Sequence, residues 1–209
     1  MKIIAEVKKT SPFSDWKVDD VQLEWRVKEY ERLGASAISI VTAKAFQGEK
    51  QWVTEARKHT KLPILRKDFL SKPEEIEETK DLGADWVLLV SELLAAHELD
   101  ALTFHAWRVG LKPVVEVNSL FGIGALPYCD TSHVLINNRN IRTGKLNTMT
   151  LFNLLPLIDD KYEITAASGL DEQPAIIKTI KKIGEIDNIL VGTAFMRSTN
   201  LEETFKQHG

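Results

Sequence analysis

Residues 3–12 read Ile-Ile-Ala-Glu-Val-Lys-Lys-Thr-Ser-Pro. Ile3–Val7 is a short, β-branched, apolar run and is expected to form a strand. Glu6 and Lys8 lie two residues apart, so the period of two puts both side chains on one face at the strand's C-terminal end. The run then enters Lys8-Lys9-Thr10-Ser11-Pro12, which contains no glycine. An open, doubly wound α/β sheet often announces its ligand with a glycine-rich first turn. The absence of that turn favours the other parallel architecture, a closed barrel.

Seven further runs of the same kind follow: Ala37–Val41, Ile64–Arg66, Trp86–Val90, Pro113–Val117, Val134–Ile136, Glu163–Ala166 and Ile189–Val191. Charged, amphipathic stretches lie between them at Val21–Leu33, Gln51–His59, Pro73–Leu82, Ala95–Val109, Thr150–Leu155, Gln173–Ile183 and Leu201–Gln207. The segment Ser119–Leu126 is the weakest helix, because Gly122 and Gly124 interrupt it. Strand–helix alternation implies a parallel sheet, and eight strands favour a (β/α)8 (TIM) barrel. No linker or composition break divides the chain, so residues 1–209 read as one domain.

Bulk properties narrow the function. A net charge of −3 argues against a general nucleic-acid binder. No apolar run reaches spanning length, which argues against a membrane helix. Glu6, Lys8 and Lys9 interrupt the opening run, so it does not read as a signal peptide. Cys129 is the only cysteine, which rules out an intrachain disulfide and suits a reducing cytoplasm.

Active sites of such barrels lie at the C-terminal ends of the strands. Those positions hold Glu6, Lys8, Lys67, Glu116, Asn137, Arg139, Ser168, Gly169, Gly192 and Thr193. The set supplies cations for an anionic ligand and carboxylates able to move protons. Taken singly, Lys67 fits a solvated loop lysine and Glu116 a structural ion-pair partner equally well. The seventh and eighth strands end in Ala167-Ser168-Gly169 and Val191-Gly192-Thr193. Small residues there let backbone N–H groups approach a phosphate, the recurrent phosphate site of these barrels. The five histidines are scattered without paired-ligand spacing, so no metal site is expected.

With these positions in view, a family resemblance emerges. IIAEVKKTSP, AISIVTAKAFQGE, LPILRKDFL, GADWVLLV, KPVVEVNS, INNRNIRT, ASGL and ILVGTAFMRS resemble, in order, successive blocks of indole-3-glycerol phosphate synthase. LRKDF and INNRN are specific to that family, whereas GAD and SGL recur across phosphate-binding barrels. The resemblance implies a lyase of tryptophan biosynthesis that closes the indole ring of 1-(2-carboxyphenylamino)-1-deoxyribulose 5-phosphate, releasing carbon dioxide and water. It implies no cofactor and no metal. It assigns Lys67 as general acid, Lys8 as holder of the substrate carboxylate, and Glu6 as its orienting partner. Glu116 would act in the later dehydration, and Asn137 would position the sugar hydroxyls or catalytic groups. Ser11, Arg139, Ser168, Gly169, Gly192 and Thr193 would line the phosphate and its approaches. Pro12, Phe46 and Phe69 would form an apolar slot for the anthranilate ring, although the two phenylalanines fit core or lid packing equally and Pro12 a simple loop. The implied partner is the small phosphorylated substrate, with no nucleic acid or membrane. A monomer is the simplest state, with other enzymes of the pathway left open as partners.

The chain departs from the family's pattern in three places. Ala167 stands where a glutamate is usual, strand one starts too early for the family's N-terminal extension helix, and the 42–48 loop is short and poor in acid. Three readings therefore stand: a divergent synthase, a barrel converting or binding another phosphorylated sugar-type ligand, and a non-catalytic binder. A phosphoribosylanthranilate isomerase-like barrel is disfavoured. That family uses a cysteine at the end of strand one, and Cys129 lies in the YCDTSH stretch before strand six.

Overall fold

A computed structural model of the chain describes residues 1–13, 15–170 and 174–209. Eight strands run β1 (Lys2–Val7), β2 (Ala37–Val41), β3 (Ile64–Lys67), β4 (Trp86–Val90), β5 (Lys112–Val117), β6 (His133–Asn137), β7 (Glu163–Ala167) and β8 (Asn188–Val191). Each pairs in parallel with the next, and β8 returns to β1 through Lys2↔Asn188 to Ala5↔Val191, so the sheet closes in sequence order. The expected (β/α)8 barrel is therefore the observed fold.

The helices are α1 (Leu23–Arg32), α2 (Gln51–Arg57), α3 (Pro73–Asp81), α4 (Ala96–Arg108), α5 (Leu120–Ala125), α6 (Met149–Leu154), α7 (Pro174–Ile183), α8 (Thr193–Arg197) and α9 (Leu201–His208). Boundaries shift where side chains intervene. α1 begins at Leu23 rather than Val21 because Gln22 is left-handed, with φ 50°, and its N–H donates to Asp20 Oδ1 at 2.9 Å. α5 forms despite its glycines with Ser119 as its cap, its hydroxyl accepting the Gly122 N–H, and Gly122 is needed for space because a side chain there would strike Ser91 Oγ and Glu92 Oε1. Gln173, the expected start of α7, lies outside the described residues. The five-residue α8 is an element the sequence reading did not separate. Arg26 of α1 secures it, donating to the carbonyls of Phe195 and Met196 at 3.1 and 3.3 Å.

Both faces of the strands are buried, which explains their near-continuous apolar character. Outward residues such as Val7, Ile38, Ile40, Val87 and Ile136 pack under the helices. Inward residues Ile4, Leu65, Leu88, Val114, Leu135 and Leu190 fill the barrel as a separate apolar layer. The same alternation sends Arg66 outward and Lys67 inward. Arg66 is 1% exposed and donates to Thr79 Oγ1 at 2.9 Å and Glu78 Oε2 at 3.0 Å, so its charge is spent on structure.

Polar layers close both ends of this apolar plug. One period back toward the strand N-termini, Lys112 pairs with Glu163 at 2.6 Å, and Asn188 Nδ2 donates to the same carboxylate at 2.9 Å. His133 lies against Thr165 Oγ1 at 2.6 Å with its ring edge on Trp86. Burial pushes its imidazole down to about 4, more strongly than nearby Glu163 pulls it up. A packed ring there serves stability, since function gathers at the opposite rim.

Candidate active site

One period forward from the apolar layer, Ile4 leads to Glu6, Leu65 to Lys67, Val114 to Glu116, Leu135 to Asn137 and Leu190 to Gly192. Strand pleat alone thus places five residues from the ends of five different strands on one inward ring at the mouth. Lys8, two further along β1's direction, adds a second ammonium.

Glu6 is the centre of that ring. Its Oε1 lies 2.9 Å from Lys8 Nζ and its Oε2 4.0 Å from Lys67 Nζ, so one carboxylate spaces two cations. Burial pushes the Glu6 carboxyl up, but the two ammonium groups together outweigh it and leave its pKa below the ordinary value. Gly192 completes the contact from β8. A Cβ there would collide with the Glu6 carboxylate and stand 2.9 Å from Lys8 Nζ. The glycine is needed for space, since its φ of −121° suits any residue.

Glu116 behaves oppositely. It is 2% exposed, Oε1 accepts from Asn137 Nδ2 at 2.8 Å, and Oε2 has no partner among the described residues. Burial raises its pKa; Lys67 and the Asn137 amide pull it down, Glu92 and Glu6 push it up, and the net direction is upward. Two carboxyls at one rim are therefore shifted in opposite directions, Glu6 toward the ionised form and Glu116 toward the protonated one. Environments that separate pKa values in this way divide acid from base roles.

Asn137 is itself pinned. Its Oδ1 accepts the Arg139 N–H at 2.9 Å and its carbonyl accepts from Asn118 Nδ2 at 2.6 Å. Asn118 is in turn held by Glu92, whose Oε1 accepts the Asn118 N–H at 2.6 Å and the Ser119 hydroxyl at 3.1 Å. Sequence reading missed Glu92 and Asn118, because Glu92 lies in a 3₁₀ turn and Asn118 past the end of β5, where strand alternation no longer applies.

On the opposite side Ser168 and Gly169 are both left-handed, with φ 68° and 70°. Asn138 Nδ2 donates to the Ser168 carbonyl at 3.0 Å and fixes that turn. Ser11, Ser168, Gly169, Gly192 and Thr193 face the same cleft as Glu6, Lys8 and Lys67. Asn137, Arg139 and Phe46 also line it, and its space, counted out to open solvent, is about 680 Å³, within the range of small-ligand sites. Glu116 lies beneath the lining, reached through Asn137. Lys8 stands 6.0 Å from the Trp16 ring, a cation–π arrangement absent from the sequence reading.

The aromatic side differs from expectation. Pro12 is exposed and does not line the cleft; Phe13, one residue on, does. The chain direction of the loop turns the proline outward, so Phe13 replaces Pro12 in the apolar wall. Phe46 lines the cleft, whereas Phe69, expected beside it, does not; the Phe69 ring lies against Phe46 at a tilt of 46°, with centres 6.5 Å apart. An exposed phenylalanine after a proline in a polar loop was the one signal available for Phe13.

The sequence model of the family described as indole-3-glycerol phosphate synthase matches residues 1–208. Among curated proteins, the indole-3-glycerol phosphate synthase of Aquifex aeolicus is 37% identical over 210 residues, covering 99% of this chain and 80% of that protein. That of Campylobacter curvus is 33% identical over 207 residues, covering 99% and 78%. Among solved structures, 3-hexulose-6-phosphate synthase from Salmonella typhimurium superposes with TM-score 0.73 at 15% identity, covering all of both chains. KGPDC from Streptococcus mutans gives 0.73 at 11% identity, covering 99% and 94%. At such identities the structural likeness concerns the fold alone.

Proposed function

Since the chain belongs to the indole-3-glycerol phosphate synthase family, we propose that its cleft carries that family's chemistry with the roles set out below. The protein is a lyase that takes a phosphorylated substrate, closing the indole ring of 1-(2-carboxyphenylamino)-1-deoxyribulose 5-phosphate with loss of carbon dioxide and water.

The observation that carries the role assignment is the contrast between Glu6 and Glu116 on either side of Lys67. Ring closure forms a bond from the aromatic ring carbon to the sugar's carbonyl carbon, and the carbonyl oxygen gains negative charge. Lys67 is the general acid that protonates it, with the Glu6 carboxylate 4.0 Å from its ammonium group. Lys8 holds the ring carboxylate, which then departs as carbon dioxide and leaves its electron pair to restore the aromatic ring. The new hydroxyl leaves as water with a proton from Glu116, and loss of the remaining ring-adjacent proton completes the indole. Asn137 aims Glu116. Ser11, Arg139 and the turns at Ser168-Gly169 and Gly192-Thr193 take the phosphate.

A second reading keeps the same phosphate side and changes the other end of the ligand. Ala167 favours it, since an apolar methyl lines the cleft where relatives are expected to present a carboxylate. On this view turnover of the anthranilate-derived substrate is weakened or diverted to another phosphorylated sugar. We place the protein in the cytoplasm, as a biosynthetic enzyme with a single cysteine.

Indole formation gives a direct fluorescence signal. Wild-type protein is expected to produce it from the substrate, and Lys67→Ala to lose about 10²–10⁴-fold in kcat with the fold intact by circular dichroism. A Lys67→Ala variant of full rate removes Lys67 from the acid role.

A further inference from the structure

Phe13 occupies an unusual position. It sits on the loop after β1, yet it touches loops that follow β2 and β6. In the closed order those two strands are four places apart, so their loops face each other across the barrel mouth. On one side the Phe13 ring meets Phe46 edge-on, with centres 6.3 Å apart. On the other it lies 5.3 Å from the Arg139 guanidinium carbon. The far loop is shaped to receive it. Gly144 is left-handed, with φ 70°, and a side chain there would run into the Phe13 ring. The Arg139 guanidinium is fixed to the same turn, donating from Nη1 to the Gly144 carbonyl at 2.9 Å. With Phe69 packed behind Phe46 at a tilt of 46°, the rings make a row from the β3 loop to the β6 loop.

Phe13 and Phe46 of this row line the cleft that also holds Lys8 and Lys67. Phe13 is 37% exposed, so part of its ring remains open toward the cleft while the rest is packed. An exposed aromatic surface beside two ammonium groups suits a flat ring carrying a carboxylate: the ring lies against phenylalanine, and the anion meets lysine. A phosphate gains nothing from the same surface.

We propose that Phe13 is a specificity-determining residue that supplies the wall for the substrate's aromatic ring and spans the mouth between Phe46 and Arg139, so that the ring and phosphate ends of the ligand are sorted to different sides. The inference rests on the lyase reading above and adds to it a residue with no assigned role there.

The test compares wild type, Phe13→Ala and Phe13→Tyr by steady-state kinetics of indole formation, with competition by two probes, an N-alkyl anthranilate without phosphate and inorganic phosphate. Phe13→Ala is expected to raise KM and the anthranilate inhibition constant by about tenfold. Its kcat and its inhibition by inorganic phosphate stay near wild type, and Phe13→Tyr restores the KM. Thermal denaturation checks that each variant is folded. An unchanged KM overturns the inference. So does equal weakening of both probes, which marks a general structural effect, and so does weakening confined to phosphate, which marks an action through Arg139. Absence of any indole product from wild type refutes the lyase reading instead. In that case the anthranilate and phosphate probes are measured by calorimetry, and the same selective loss on Phe13→Ala still decides the role of Phe13.

Discussion

Asn137→Ala offers a sharp test of how this rim sets its proton inventory. The amide donates to Glu116 Oε1 at 2.8 Å, inside a site where Glu116 is 2% exposed and its other oxygen has no partner among the described residues. A hydrogen bond to a charged group is worth about 1.5–3 kcal/mol, and 1.36 kcal/mol corresponds to one pH unit of pKa. Removing the amide should therefore lift the Glu116 pKa, already raised by burial, further above its ordinary value. The kinetic consequence is direct. If Glu116 delivers a proton during dehydration, the alkaline limb of kcat that reports its ionisation moves upward with it. Stability follows the matching sign. A carboxyl with a raised folded pKa adds stability below its ordinary value of 4.5 and loses it as pH rises through the folded value. The variant is then about 1–3 kcal/mol less stable near neutrality. The measurement is kcat across roughly pH 5–9 by indole fluorescence, with urea unfolding at both ends of the range. Asn137 also accepts the Arg139 N–H, so the double variant with Glu116→Gln separates the two effects. An alkaline limb that stays in place or moves to lower pH refutes the reasoning, as does a shift that persists when Glu116 is already glutamine.

Two further outcomes follow from the barrel's other polar layers. His133, with its pKa lowered from 6.5 to about 4 by burial, refuses a proton that the unfolded chain accepts. Stability should fall as pH drops from about 6.5 to 4, by about 3 kcal/mol in all, and His133→Gln should flatten the dependence of unfolding free energy over that window; an unchanged slope in the variant would assign the acid sensitivity elsewhere. At the mouth, Ala167→Glu places a carboxylate in the wall and is expected to raise kcat for indole formation by about 10–10²-fold, on the order of one charge-assisted hydrogen bond. A folded variant with equal or lower rate would favour the second reading, in which the site serves another phosphorylated sugar.

The role of Glu92 shows what register cannot reveal. It sits in a 3₁₀ turn after β4 and holds Asn118 by its N–H, and Asn118 in turn holds the Asn137 carbonyl. Glu92 follows Val90 by two, but it lies in a 3₁₀ turn, and Asn118 lies past the end of β5, so strand period does not say where either side chain points. Glu6, Lys67, Glu116 and Asn137 were legible because each lies one pleat beyond an apolar inward residue, a relation visible in the linear chain. Phe13 was not legible for the opposite reason. Its neighbours Phe46, Arg139 and Gly144 come from distant parts of the chain, and whether Pro12 or Phe13 faces the cleft depends on loop geometry that no periodicity encodes.

The sequence by itself determined the barrel, the inward ring of charged residues and the small-residue turns after β7 and β8. Those features arise from local rules: period-two alternation, helix–strand alternation and the space that only glycine leaves. Tertiary structure alone decided the electrical state of the ring and the shape of its wall. Burial raises one carboxyl and two lysines lower another, and both effects depend on which side chains meet in space. The opening residues Glu6 and Lys8 share a strand face by sequence, but it is Lys67, 61 positions past Glu6 in the chain, that completes the trio, brought within 4.0 Å only by closure of the barrel.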